Sequence, residues 1–599
     1  MKDTIQKFEV DTVPVTLEPR REQRTLRRFR RGTQAPIAIR WFGMTALAGH
    51  LRHLIAAAAA SNNFDLRDWM RPISATALLD RVGQVLGAST SEGTLSERLG
   101  RDVWIDFVAD TGDDYEVSLA VGRFLFNEYA LSGEEPRILP RGDLLIFGGD
   151  TAYPVATASE LERRLISPWN GVLRERANHD RRRVLLGIPG NHDWYDGLDG
   201  FCRLFRRSPL ADLASATGSR EQVSTPSSSE RVENYLKRQL HLDELSESMR
   251  LAEEAIESLR ALIKRSIVEK RTRLELKGYE SVQETSYWAL PLAPGLDLWG
   301  ADRQLRDADF RQRLFFSQRR AEAQPRRIVF VASDPALAYG EPNEPGEKLL
   351  EACDLSLASD RVLYLTGDIH HYERLNVGKS LHVIAGGGGA FLEGSRFALG
   401  SGTFPAEFAY PDRTTSQRLA LGMPLHVAAG TAGFLPHGLF ALIAVLELLA
   451  LRRGPILAVV LSGALTIIQI VGLALAARER LQRPVATWSL STLFGLILGL
   501  APLVIYFVFA WIVPWLHPFA PVVLIHMFIA SFVFGLFLLA LEITGLDHQH
   551  AFAALGHPGF RHFVRICVHP NGKVEGFVIG KDDPIGEDPP VLIDRFRWD

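Results

Sequence analysis

Four apolar runs toward the C-terminal end constrain this chain more than anything else in it. They cover 435–451, 456–477, 490–513 and 522–541. Each is near the ~20 residues that a helix needs to cross a bilayer. Buried core helices of that length do not come four in a row, and backbone in lipid must satisfy its own hydrogen bonds. The runs therefore predict four spanning helices, about 431–543, with a lipid bilayer as partner. Pro502 inside the third run and Pro514 just after it predict a kink or an early end there. Glu447, Gln469 and His526 lie in or near the spans, marking either a polar pathway or ordinary interhelical hydrogen bonding. An even number of crossings returns the chain to the side it left. Arg478, Arg480 and Arg483 sit in the second break, Arg452 and Arg453 in the first, and the third has neither Lys nor Arg. That bias predicts a multi-pass protein with both soluble parts in the cytoplasm.

The rest of the chain is long enough for separate units: 599 residues exceed what one hydrophobic core organises. A net charge of −3 argues against a nucleic-acid partner held by bulk electrostatics. Cys202, Cys353 and Cys567 are far apart and lack CxxC spacing, so no disulfide framework is expected and a reducing compartment fits. The first residues lack the apolar run of a signal peptide. Over 1–100 we expect a basic arm and a helical region. Arg20, Arg21, Arg24, Arg27, Arg28, Arg30 and Arg31 form either a solvated tail or an arm drawn to anionic lipid. Residues 41–60 predict an amphipathic or packed helix.

Chemistry is concentrated at strand ends. Arg183-Val184-Leu185-Leu186-Gly187-Ile188 reads as a buried strand, and Pro189-Gly190 turns it into Asn191-His192-Asp193. Leu144-Leu145-Ile146-Phe147 runs into Gly148-Gly149-Asp150. Val103 to Ala109 runs into Asp110-Thr111-Gly112-Asp113, and Val362-Leu363-Tyr364-Leu365-Thr366 into Gly367-Asp368-Ile369-His370-His371. Ligands in open α/β sheets sit at the carboxyl ends of strands. Four such ends delivering Asp, Asn and His describe an oxygen-and-imidazole site for Mn, Fe, Zn or Mg. Between them, 230–275 is charged, helical in period and entered through a Ser-rich stretch. This insertion, about 211–280, is a solvated cap, a substrate lid or an oligomer contact. Gly386 to Gly389 follow another strand and make either a close approach to the site or a tight turn. After 544, alternating strands around Asn571-Gly572 predict a hairpin that adds to the soluble domain.

Gly-Gly-Asp, Gly-Asn-His-Asp and Gly-Asp-x-His-His, in this order, resemble the calcineurin-like metallophosphoesterases, and more closely a membrane-anchored branch found in plants and bacteria. The resemblance covers about 103–397. It implies an α/β fold over 101–410, two packed mixed sheets flanked by helices, with two divalent metal ions at the strand ends. By that resemblance Asp110 and His370 hold one ion, Asn191 and Asp368 the other, and Asp150 bridges them. His192 is the catalytic acid, with Asp193 beside it. A phosphate-ester substrate, monoester or diester and lipid-linked in one version, would be hydrolysed by a metal-activated hydroxide. The chain departs from the family where Gly112 and Ser333 replace expected histidines and Asp368 another. Asp113, Ser333, Asp334 and His371 are therefore further candidate ligands. The departures also allow a weak or inactive relative that binds phosphate or metal at a membrane.

Overall fold

The computed structural model describes residues 14–20, 29–43, 67, 70–131, 137–176, 182–207, 273–303, 307–395, 403–477, 484–546 and 552–599. Residues 211–272 of the predicted insertion lie outside these. So do 44–60 of the predicted N-terminal helix and the arginines at 21, 24, 27, 28, 478, 480 and 483. Trp41 to Gly43, where that helix was expected to begin, form a turn closed by Gly43 N–H donating to Arg40 O.

Two seven-stranded sheets dominate the soluble part. In chain order their strands are β1 (Val103–Val108), β2 (Leu144–Phe147), β3 (Arg183–Gly187), β4 (Tyr279–Ser281), β5 (Trp288–Ala293), β6 (Leu296–Gly300) and β7 (Arg327–Ala332). There follow β8 (Val362–Thr366), β9 (Tyr372–Val377), β10 (Ser380–Ala385), β11 (Phe408–Tyr410), β12 (Arg561–Val568), β13 (Val574–Lys581) and β14 (Val591–Trp598). The first sheet runs β14-β13-β12-β1-β2-β3-β4 and the second β11-β9-β10-β8-β7-β6-β5. Strands β1 to β4 are mutually parallel, as are β6, β7, β8 and β10.

Strand alternation explains the layering. Val103, Ile105 and Phe107 of β1 join Val329 and Val331 of β7 and Leu363 and Leu365 of β8 in one core between the sheets. Trp104 and Val108, on the opposite face of β1, pack under α2 (Tyr115–Leu125) and α3 (Ser167–Glu175). Phe330 and Tyr364 likewise face α4 (Phe310–Ala323) and α5 (Glu344–Ala352). α1 (Ala75–Leu86) closes one end of the central core through Leu78, Leu79 and Val82. Each fully buried aliphatic side chain contributes roughly 1.5–3 kcal/mol.

After α6 (Arg413–Ala420) and α7 (Met423–Ala428) come α8 (Leu435–Arg453), α9 (Pro455–Ala476), α10 (Pro484–Ile512) and α11 (Phe519–Thr544). These last four are long and apolar enough to cross a membrane. Their apolar flanks are open, with Ile456 and Trp511 more than four-fifths exposed, a surface that lipid would cover. Pro502 does not end or divide α10, which continues to Ile512. His526 Nδ1 donates across the bundle to Phe440 O at 3.2 Å, whereas Gln469 bonds within its own helix to Leu465 O. The chain then returns to the first sheet. The tail supplies three strands rather than the two expected, and β12 pairs antiparallel with β1.

Candidate metal centre

Because the central strands of each sheet are parallel, their carboxyl ends lie on one edge. Asp110 follows β1, Asp150 follows β2, Asn191 follows β3 and Asp368 follows β8. The three aspartates share an unusual backbone: φ is 58° at Asp110, 50° at Asp150 and 65° at Asp368, the left-handed region. Each such residue costs about 1–2 kcal/mol relative to glycine. The turns are crossed by tight contacts. Asp368 N–H donates to both Asp110 oxygens, at 3.0 and 3.2 Å, and His192 N–H to Asp150 Oδ1 at 2.8 Å. Gly190 is required here, since a Cβ would lie 2.1 Å from Asp150 Oδ1.

Tyr153 ties the cluster together. Its hydroxyl lies 3.1 Å from Asp110 Oδ1, 3.4 Å from Asp150 Oδ2 and 3.2 Å from His370 Nε2. His370 Nε2 is 3.6 Å from Asp110 Oδ1, and its Nδ1 is 3.6 Å from Glu393 Oε1. Asn191 donates through Nδ2 to Tyr195 Oη at 3.0 Å, while its buried Oδ1 has no hydrogen-bond partner. Burial raises the Asp110 carboxyl well above the usual range, and Asp150 and Asp368 raise it further. Burial also raises Asp150, with Asp193 and Asp368 next in effect. Packed carboxylates that resist ionisation, and an acceptor oxygen that nothing satisfies, both favour a cation. This oxygen-rich set with one imidazole fits a hard or borderline divalent ion.

His192 Nδ1–H donates to Pro154 O at 2.7 Å, which fixes the ring. Its ring lies 4.4 Å from that of Tyr153, 5.1 Å from Tyr195 and 5.8 Å from Trp41.

Four sequence-derived candidates have other employment. Asp193 accepts from Gly190 N–H at 2.8 Å and from the Thr151 hydroxyl, and so braces the turn. Asp113 accepts from Ile39 N–H at 2.7 Å and has Arg164 and Arg561 as its balancing charges. Asp334 faces Arg303 at 3.4 Å. His371 lies 3.5 Å from Glu373 and packs on the Tyr339 ring. Ser333 lies against Gly149, the residue before Asp150: a Cβ on Gly149 would meet Ser333 Cβ at 2.9 Å. Gly112 could not carry a ligand at all. Its φ is +63°, and a Cβ would lie 2.6 Å from Thr151 O and 2.9 Å from Ala152 Cα.

Sequence reasoning missed Tyr153, Glu393 and Trp41. Tyr153 stands three residues after Asp150, and Glu393 two after the Gly386–Phe391 stretch, so extending both motifs slightly would have reached them. Nothing local marks Trp41.

A second cluster of ligand types, Asp102, Cys567 and His569, lies at the opposite end of β1, with its donor atoms within 4.8 Å of one another. Arg137 already fills it, with Nη2 3.1 Å from Cys567 Sγ and 3.5 Å from Asp102. Burial pushes the thiol up, against thiolate formation. The group reads as an ion-pair hub around one arginine.

No family model matches this sequence, and no curated protein matches it. Among solved structures, the chain is similar to GAP50, the anchor in the inner membrane complex of Plasmodium. The TM-score is 0.28 at 8% identity, over 52% of this chain and 78% of that one. A likeness at that level bears on neither fold nor function.

Proposed function

We propose that the chain is a membrane-anchored metallophosphoesterase of the calcineurin-like kind, hydrolysing a phosphate ester with two divalent metal ions. One observation carries the reading: Asp110, Asp150, Asp368 and His370 converge from separate strand ends onto Tyr153 and one another, beside an Asn191 Oδ1 that has no partner. The two face-to-face sheets with helices outside support the same family. Asp110 and His370 would hold one ion, Asn191 and Asp368 the other, and Asp150 would lie between them. When bound, the ions supply Lewis-acid polarisation of the phosphoryl group and a water acidic enough to react near neutral pH.

The chain's own residues do the rest. The backbone bonds from Asp368 to Asp110 and from His192 to Asp150 hold the carboxylates in place before substrate arrives. With Nδ1–H donating to Pro154 O, His192 in its imidazolium form would deliver the Nε2 proton to the leaving alkoxide. Trp41, Phe391 and Tyr153 form an aromatic wall that limits water at this edge. The soluble parts and this site share one side of the membrane, the cytoplasmic one by the arginine bias.

The deciding experiment is metal analysis of the purified full chain together with hydrolysis of an aryl phosphate under Mn, Fe, Zn and Mg. Metal-dependent release of phosphate supports the enzyme. Bound metal with no turnover would favour a phosphate- or metal-binding module, the reading that Gly112 and Ser333 keep open.

A further inference from the structure

We propose that the ester taken by this site is a membrane lipid ending in a phosphate monoester, with its hydrocarbon left in the bilayer while its head reaches the carboxylates. The inference rests on the phosphoesterase reading above and adds the substrate class.

Two adjacent residues carry it. The Trp41 ring lies 6.0 Å from Tyr153, 5.8 Å from His192 and 5.6 Å from Phe391, so it is part of the site's wall. Phe42, the next residue, belongs to the helical bundle. Its N–H donates to Ala432 O and its carbonyl accepts from Leu435 N–H, both at 3.0 Å, and Leu435 begins α8. Its ring stands 6.0 Å from Phe534 of α11. Gly433 lets the strands of backbone touch, since a Cβ there would lie 2.3 Å from Phe42 O. Consecutive Cα atoms are about 3.8 Å apart, so site wall and bundle end are separated by one residue.

Phe391, which packs against Trp41 in this wall, is tied in the same way. The Phe391 ring lies 4.6 Å from the His370 ring. Leu392 N–H donates to His557 O at 3.0 Å, and a Cβ on Gly394 would strike the Phe552 ring, both partners lying just beyond α11. Two segments of this wall are thus hung from the ends of the long apolar helices.

The surface around this junction suits a bilayer interface. Ile37 is 44% exposed, Phe434 60%, Leu421 62% and Leu425 67%, all on segments that join site to bundle. Large apolar side chains at that height insert among head groups. The same N-terminal segment carries the exposed Arg40 and also Arg31, whose Nη2 donates to Leu555 O at 2.9 Å just beyond α11, and this positive charge would draw an anionic head toward the bundle end. A freely soluble ester needs none of this; a lipid phosphate needs a site at head-group depth, with an apolar rim and positive charge at its entrance.

The test uses the full chain in phosphatidylcholine vesicles with Mn, and three probes: phosphatidic acid in the same bilayer, glycerol 3-phosphate in solution, and an aryl phosphate. The first two share a reacting group and differ in the acyl chains. We expect kcat/KM for phosphatidic acid to exceed that for glycerol 3-phosphate by about 100-fold, because remote binding is spent at the reacting centre. Leu421→Glu with Leu425→Glu should lower the lipid-to-soluble ratio about tenfold by keeping the rim out of the interface. Both side chains are mostly exposed, so the fold should survive, and Leu425→Ser alone provides a milder second variant. Equal efficiency on the first two probes, hydrolysis of the soluble esters without the lipid, or a ratio unmoved by the leucine variants would overturn the lipid assignment and leave the phosphoesterase reading standing. No release from any probe by a metal-loaded protein would overturn both.

Discussion

Arg565→Met should come close to unfolding the soluble domain, although Arg565 lies beyond the last apolar helix and far from the candidate metal ligands in sequence. The guanidinium is fully buried against an equally buried Asp106. Nε and Nη2 reach the two Asp106 oxygens at 2.6 and 3.1 Å. The remaining donors go to Asn127 O at 2.9 Å, Leu139 O at 3.1 Å and Leu125 O at 3.0 Å, so all five N–H groups are used. Removing the cation leaves Asp106 with one hydrogen bond, from Gly142 N–H at 2.9 Å, and strips three carbonyls. Breaking one partner of such a pair costs about 3–5 kcal/mol, with no solvent screening to reduce it. At about 2–4 °C per kcal/mol for a domain of this size, the unfolding midpoint should fall by roughly 6–20 °C. The assay is thermal unfolding of the full chain in detergent, followed by tryptophan fluorescence. Asp106→Leu combined with Arg565→Met should recover much of the loss, since replacing both charges removes the unpaired carboxylate. A single-variant shift under about 2 °C would refute the idea that β12 is integral to the first sheet.

Four further outcomes are expected. Asp150→Asn should lose bound metal and turnover together, read by elemental analysis and phosphate release, because the anion between the two ligand pairs is gone while its shape remains. His192→Ala should keep metal nearly intact and slow an alkyl ester by about 10²–10⁴-fold, with a smaller effect on an aryl ester whose leaving group needs no proton. Ser333→His should raise metal occupancy, whereas Gly112→His should only destabilise, because its Cβ meets backbone atoms at 2.6 and 2.9 Å. Asp113 sets a pH dependence. Burial pushes its carboxyl from 3.8 up to about 6, so the folded chain holds a proton there that the unfolded chain has released. That contribution is present below about pH 4 and is lost as pH rises to about 6, on the order of 3 kcal/mol. In chelator, Asp113→Asn should flatten this part of the stability–pH curve while the wild type declines across it.

The strand ends were legible because each combines an apolar run, a glycine and an acid in a few consecutive residues, and parallel strands bring such ends together without further information. The four helices long and apolar enough to cross a membrane were legible from length and apolarity. What was not legible depends on partners distant in sequence. Asp113 reads as a ligand next to Asp110 until Ile39 N–H and Arg164 are seen to claim it. Strand β14 carries Asp594, Arg595 and Arg597, and such charges on an edge strand discourage edge-to-edge association while hiding the strand from a hydrophobic reading. Pro502 and Pro514 carried the expectation of a kink or an early end; α10 runs on past Pro502 and stops at Ile512, ahead of Pro514. Trp41 belongs to a turn whose role exists only once α8 and β1 are both in place.

The strand ends of the two sheets carry an unfavourable edge. Asp110, Asp150 and Asp368 each adopt a backbone that glycine would adopt more cheaply; burial, with Asp150 and Asp368, opposes ionisation of Asp110, and burial, with Asp193 and Asp368, opposes that of Asp150. Folding alone gains nothing from that choice: glycine would relieve the strain and asparagine the charge. The neighbouring glycines show the chain using such relief where a side chain has no purpose, as at Gly190 and Gly386, whose missing Cβ atoms make room for Asp150 and Asp110. Keeping three acids beside them makes sense when something positive is meant to sit among them. The opposition between the carboxylates then becomes attraction to a cation, and the rigidity of both sheets keeps the ligands from relaxing apart in its absence.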